Sequence, residues 1–149
     1  MRYLRGKLTN GRILIKVGIK PFQPYTPVDG ISAPISLNYQ EFTALVDTGA
    51  VRTCINENVV QRLGLRRRGR ANIWNIKRSE QHFTYLFDVG IWPDRDDGLP
   101  SAVFGLANEI EGIDVGNHPY FDVLLGMDIV SLGSLRIDLD GTFEMAFPD

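Results

Sequence analysis

The sequence predicts an all-β domain with one or two short helices, and three stretches carry that expectation. Ile13, Ile15, Val17 and Ile19 alternate with Leu14, Lys16, Gly18 and Lys20, the period of a half-buried strand. Ala44-Leu45-Val46 is a short apolar run that ends in Asp47-Thr48-Gly49-Ala50, which puts a carboxylate on a tight turn at the rim of a core. Near the end, Leu135, Ile137 and Leu139 and then Phe143, Met145 and Phe147 alternate about Asp140-Gly141, a hairpin with a strong turn signal. A chain of 149 residues with 44% hydrophobic content is long enough to bury one core, so one domain over 1–149 is expected.

Composition narrows the function. Charged residues make up 23% and the formal net charge is −2, which argues against a nucleic-acid clamp or a membrane-surface binder. Met1 to Lys7 lacks the apolar run of a signal peptide, and no stretch is long enough to span a bilayer. Cys54 is the only cysteine, so neither a disulfide framework nor a zinc constellation is expected, and a reducing, cytoplasmic setting fits. His82 and His118 are too few for a metal site without clustered acidic companions.

Taken in order, the strand over 12–20 gives way to Pro21, Pro24, Pro27 and Asp29-Gly30, a turn-rich connection that excludes a central strand. Residues 35–37 and 42–46 then read as two strands joined around Asn38-Tyr39-Gln40, the second delivering Asp47. Asn56 is an N-cap type before a helix with Val59, Val60 and Leu63 on one face, and Gly64 stands at its C-terminal stop. Arg62, Arg66, Arg67, Arg68 and Arg70 crowd the end of this helix and the segment after it. With no aromatic residues interleaved, that run reads as a solvated loop.

Residues 71–75 and 82–91 read as two strands with Ile76-Lys77-Arg78-Ser79-Glu80-Gln81 as the polar tip between them. Pro93 to Gly98 is an acidic turn whose glycine and missing glutamate do not match a calcium loop. A strand is expected over 102–106 and an irregular insertion over 107–119, where Gly112, Gly116 and Pro119 fall. Phe121-Asp122-Val123-Leu124-Leu125 ends in two apolar residues, Gly126 leads into a short helix, and Leu132-Gly133 ends that helix. Apolar strand, glycine turn and helix occur in the same order around Asp47, a faint internal repeat. Gly126 would let its strand pass close beside the Asp47 turn, where a Cβ would intrude.

The apolar pair Leu45-Val46 followed by Asp47-Thr48-Gly49-Ala50 resembles the catalytic loop of the aspartic proteases. Leu124-Leu125-Gly126 leading into a helix is similar to that family's other fixed element. Because only one such loop occurs, the resemblance is to the retroviral, retropepsin-like type, in which each chain carries half an enzyme. It spans residues 35–139 and leaves 1–34, an N-terminal strand and a proline-rich extension, outside it.

The resemblance implies a closed, barrel-like acid-protease fold and a homodimeric aspartic endopeptidase acting on peptide or protein. No cofactor and no metal is implied. Asp47 of each of two copies would form the dyad, one carboxylate activating water and the other, protonated, polarising the carbonyl. Thr48 would buttress the turn across the dimer axis, and Gly49 would present backbone to substrate. Ala50, Trp74, Ile76 and Leu124 are the expected substrate contacts by position, with core packing an equal reading for Trp74, Ile76 and Leu124. The hairpin over 71–91 falls where the family carries its flap, although this tip has no glycine.

Three other readings compete. Asp-x-Gly loops after buried strands also hold phosphate in actin-like ATPases, but those folds need more phosphate loops and more chain. Cys54 lacks a local base pattern and reads as a small buried thiol. A retropepsin-like dimerisation or peptide-binding module without cutting activity is the remaining alternative.

Overall fold

The computed structural model describes residues 1–22, 38–74 and 79–149. The proline-rich connection from Pro24 to Gly30, the strand expected over 35–37 and Ile76 lie outside the described residues.

Two sheets share one hydrophobic cluster. The larger holds β2 (Leu14–Pro21), β3 (Gln40–Val46), β4 (Cys54–Ile55), β5 (Arg67–Trp74), β6 (Ser79–Ile91), β7 (Phe104–Asp114) and β8 (Val123–Leu125). Its order is β2-β3-β8-β4-β7-β6-β5, and an additional pairing of β2 with β6 closes six of these strands into a barrel, leaving β5 outside on β6. The smaller sheet has β1 (Arg2–Lys7) and β9 (Ser134–Ile137) on either side of β10 (Thr142–Phe147). Helix α1 (Glu57–Leu63) follows β4, and α2 (Met127–Val130) follows β8.

The period-two stretch behaves as expected. Ile13, Ile15, Val17 and Ile19 are buried and Lys16 is exposed, so β2 turns one face to the core. Leu4, Phe143, Met145 and Phe147 of the smaller sheet join the same cluster as Val17, Phe87, Val123 and Leu125 of the barrel. A fully buried side chain of this size contributes about 1.5–3 kcal/mol, so this shared cluster is what fastens the sheets together.

The barrel seam depends on small residues. Gly18 pairs with Gly90, and Gly90 in turn with Gly105. Tyr39 lies across all three: Cβ atoms there would come within 2.8 Å of its Cβ at Gly18, 3.0 Å of its ring at Gly90 and 3.2 Å of its hydroxyl at Gly105. An aromatic ring thus covers strand backbone that has no side chains of its own.

Four expectations need correction. The arginines after Arg66 lie within strand β5 and not in a loop: Arg67 stacks on Phe83 at 3.7 Å and Arg70 at 5.6 Å. Charged side chains suit an edge strand because they discourage further pairing, and this is why the run carried no apolar alternation. The irregular insertion begins later than expected, since β7 continues to Asp114. Its pattern is broken at Glu109, which has φ +55° and donates its N–H to buried Asp88 at 2.9 Å, so a bulge disguised the strand. Leu139 is fully exposed in the turn and not on a strand arm. The helix after Gly126 stops at Val130 with Ser131 as its C-cap, earlier than Leu132-Gly133.

The first helix matches the sequence closely. Gly64 takes the left-handed conformation at its C-terminus, φ +61°. Asn56 occupies the N-cap with extended backbone, but its amide donates to the carbonyls of Phe121 and His118 and makes no cap bond. Asn117 supplies one instead, its Oδ1 accepting from the Asn58 N–H at 3.1 Å.

Candidate active site

Asp47 leaves the end of β3 with its backbone already fixed. The Asp47 N–H donates to the Leu125 carbonyl at 2.9 Å, continuing the parallel pairing of β3 with β8 (Leu45 with Leu124, Val46 with Leu125). The chain then turns: the Ala50 N–H donates to the Asp47 carbonyl at 3.2 Å, and the Gly49 N–H to Asp47 Oδ1 at 2.8 Å. The carboxylate is half-buried and held by one oxygen, while Thr48 and Gly49 are exposed beside it. Among the described residues the Thr48 hydroxyl has no hydrogen-bond partner.

Beneath the turn runs a clasp that sequence reasoning missed. Thr53 is fully buried. Its hydroxyl donates to Asp128 Oδ1 at 2.7 Å and accepts the Gly126 N–H at 3.2 Å, while its own N–H donates to Asp128 Oδ2 at 2.9 Å. Helix α2 adds two bonds from its otherwise unsatisfied first turn, Met127 N–H to the Ala50 carbonyl at 2.7 Å and Asp128 N–H to the Val51 carbonyl at 3.1 Å. The chain after Asp47 is therefore tied to the chain after Leu125 by five hydrogen bonds. Only an acidic residue early in a short helix hinted at this, and that signal alone is too common to single out Asp128.

Gly126 has the role expected of it. A Cβ there would lie 2.6 and 2.7 Å from the backbone carbon and oxygen of Arg52 and 2.9 Å from the Ala50 oxygen. Backbone atoms cannot rotate away, so only glycine lets the two segments approach this closely.

The expected substrate contacts fare unevenly. Ala50 is half-buried at the end of the turn, with its carbonyl committed to Met127. Leu124 is half-buried between Leu45 on β3 and Cys54 on β4, while its neighbours Val123 and Leu125 point into the core. It therefore faces away from the barrel interior. Trp74 ends β5 opposite Ser79, at the base of the hairpin tip. Ile76 lies outside the described residues.

Cys54 is half-buried beside this network. Burial first, then the negative charges of Asp128 and Asp47, push its thiol from 9.0 up to about 11, with Arg52 opposing. A thiol held in its protonated form is a poor nucleophile. Among the described residues no group of three or more His, Cys, Asp or Glu side chains is placed to hold a metal ion. No helix there is long and apolar enough to cross a membrane.

The comparisons with known proteins agree with this geometry. Residues 33–86 match the family model described as "gag-polyprotein putative aspartyl protease", a span that contains the Asp47 turn and most of the hairpin. No curated protein matches the chain. Among solved structures, a retropepsin-like aspartic protease from Rickettsia conorii superposes with a TM-score of 0.57 at 16% identity, covering 97% of this chain and 93% of that one. The chain has the retropepsin-like fold, and through the stretch around Asp47-Thr48-Gly49 it resembles that family of aspartic proteases.

Proposed function

We propose that the protein is a homodimeric aspartic endopeptidase in which Asp47 and its copy in a second chain hold and activate one water. The observation that carries this reading is the half-buried Asp47 carboxylate, fixed by the Gly49 N–H on a turn that is open to solvent on its other side. A general base needs an oriented oxygen with a free lone pair, and this turn provides one. Two such carboxylates at hydrogen-bond range cannot both ionise cheaply, so the pair would share a proton and titrate as a unit. Pairing by a twofold axis suits a chain with a single Asp-Thr-Gly, and the Thr48 hydroxyl, which has no partner among the described residues, would find its acceptor across that axis.

Thr48 then braces the turn, Gly49 offers backbone to the peptide, and Ala50 and Leu124 border it. Trp74 belongs to the hairpin that would cover it; Ile76 remains a contact expected from the sequence alone. The glycine-free tip favours a second reading, a retropepsin-like module that binds peptide without cutting. One experiment separates the two: digestion of a random peptide library at mildly acid pH by wild type and by Asp47→Asn. Cleavage by wild type and none by the variant, with both dimeric, is the expected result. Equal activity in the variant would overturn the assignment of Asp47, and binding without cleavage in both would leave the module.

A further inference from the structure

Charge is unevenly spread along this chain. Residues 57–74 hold five arginines and one carboxylate, a net charge of +4, whereas the other residues hold 11 cations and 17 carboxylates. Arg66 immediately precedes β5, and Arg67, Arg68 and Arg70 lie within it. All four are exposed. Among the described residues none of them has a carboxylate partner. Arg67 and Arg70 rest on Phe83, and the register shift between Arg67 and Gly69 inserts Arg68 as an extra residue.

Two shallow grooves flank the strand. One, of about 540 Å³, is walled by Arg67, Phe83 and Tyr85, and the other, of about 160 Å³, by Arg66, Arg68 and Leu86. Tyr85 and Leu86 are neighbours in β6 and point to opposite faces, so cations border both faces of β5. Its outer edge has no strand neighbour, and among the described residues no backbone group outside β6 bonds to it.

We propose that this edge binds an extended, acidic stretch of another polypeptide, which adds to β5 as a strand and sets its carboxylates against Arg66, Arg67, Arg68 and Arg70. Three features favour that occupant. An open strand edge offers main-chain hydrogen bonds to a polypeptide, an advantage that a nucleic acid does not share. The guanidinium fork matches a carboxylate with two parallel bonds. A second copy of β5 is disfavoured there, because arginine would stand opposite arginine. The cations that keep the edge from pairing with itself thus select a partner of the opposite charge. Binding at this edge and cleavage at Asp47 are read by separate measurements, so either can fail alone.

The probe is a fluorescent oligopeptide alternating Glu and Thr, titrated by anisotropy into the full chain carrying Asp47→Asn, which keeps the probe from being cut. Arg66→Glu with Arg68→Glu turns two attractions into two repulsions and should weaken binding about tenfold or more. The same double variant should gain affinity for a peptide alternating Lys and Thr. Neither side chain makes a hydrogen bond among the described residues, so its circular dichroism should match that of the parent. Hydrogen exchange at the β5 amides should slow when the acidic peptide binds, since an added strand occupies the open edge. Absence of binding, or unchanged affinity in the double variant, overturns the proposal. So does an oligothymidylate of matching charge that binds as tightly without slowing those amides, since the edge would then attract any polyanion.

Discussion

Replacing Thr53 with valine tests whether the clasp under the Asp47 turn holds the fold through hydrogen bonds or through packing. Valine keeps the branched shape and deletes the hydroxyl, which donates to Asp128 at 2.7 Å and receives the Gly126 N–H at 3.2 Å. A hydrogen bond to a charged group is worth about 1.5–3 kcal/mol, and a buried N–H left without an acceptor costs about 1–3 kcal/mol. The two losses share one site and do not simply add, so a destabilisation of about 3 kcal/mol is expected. With a urea dependence of about 2 kcal/mol per molar, the unfolding midpoint should fall by about 1.5 M. Thr53→Ser keeps both bonds and loses one methyl group, which costs about 1 kcal/mol. Valine must therefore be clearly the worse of the two. If urea unfolding shows serine equal to or below valine, the clasp is packing and the argument from its hydroxyl is wrong.

The other outcomes rest on the same geometry. Gly126→Ala would drive a methyl group into three backbone atoms of Arg52 and Ala50. A loss of about 3 kcal/mol or failure to fold is expected, and an unchanged melting temperature would mean the segment can yield. Tyr39→Ala uncovers the three glycines at the barrel seam and should cost about 2 kcal/mol, whereas Tyr39→Phe should cost little, both read by thermal unfolding. Cys54 has its thiol raised from 9.0 to about 11, so the folded state binds its proton more tightly than the unfolded state. The linked stability is fully present below pH 9 and is lost as pH rises from there toward 11. Cys54→Ala should flatten that alkaline decline, and comparison of the two pH profiles checks it.

How much of this could be read in advance depended on how local the cause was. The strand ending at Asp47 and the one holding Ile13 to Ile19 were legible because their burial alternates along the sequence itself. Gly64 and Gly126 were legible because a backbone requirement names its own residue. β1 was missed: its Arg-Tyr-Leu-Arg-Gly-Lys sequence buries only Leu4 and owes its form to pairing with β10, about 140 residues away. The extent of β7 was hidden by a bulge that Asp88 holds from a neighbouring strand. In the site, Asp47 announced itself through the turn that it begins. Thr53 and Asp128 did not, since nothing near either residue reveals a partner 75 positions away.

The closure of the barrel through β2 has a mechanical consequence. From Phe87 onward β6 is held on both flanks, by β2 and by β7, and β7 reaches back along it to Thr84. Among the described residues, the segment from Ser79 to Phe83 is joined only to β5, which has no strand neighbour on its other side. That outer ribbon is a cantilever anchored in a stiff ring, with a register shift between Arg67 and Gly69 near its root. Deflection of its far end can be absorbed at that shift without strain reaching the ring whose strand β3 carries Asp47.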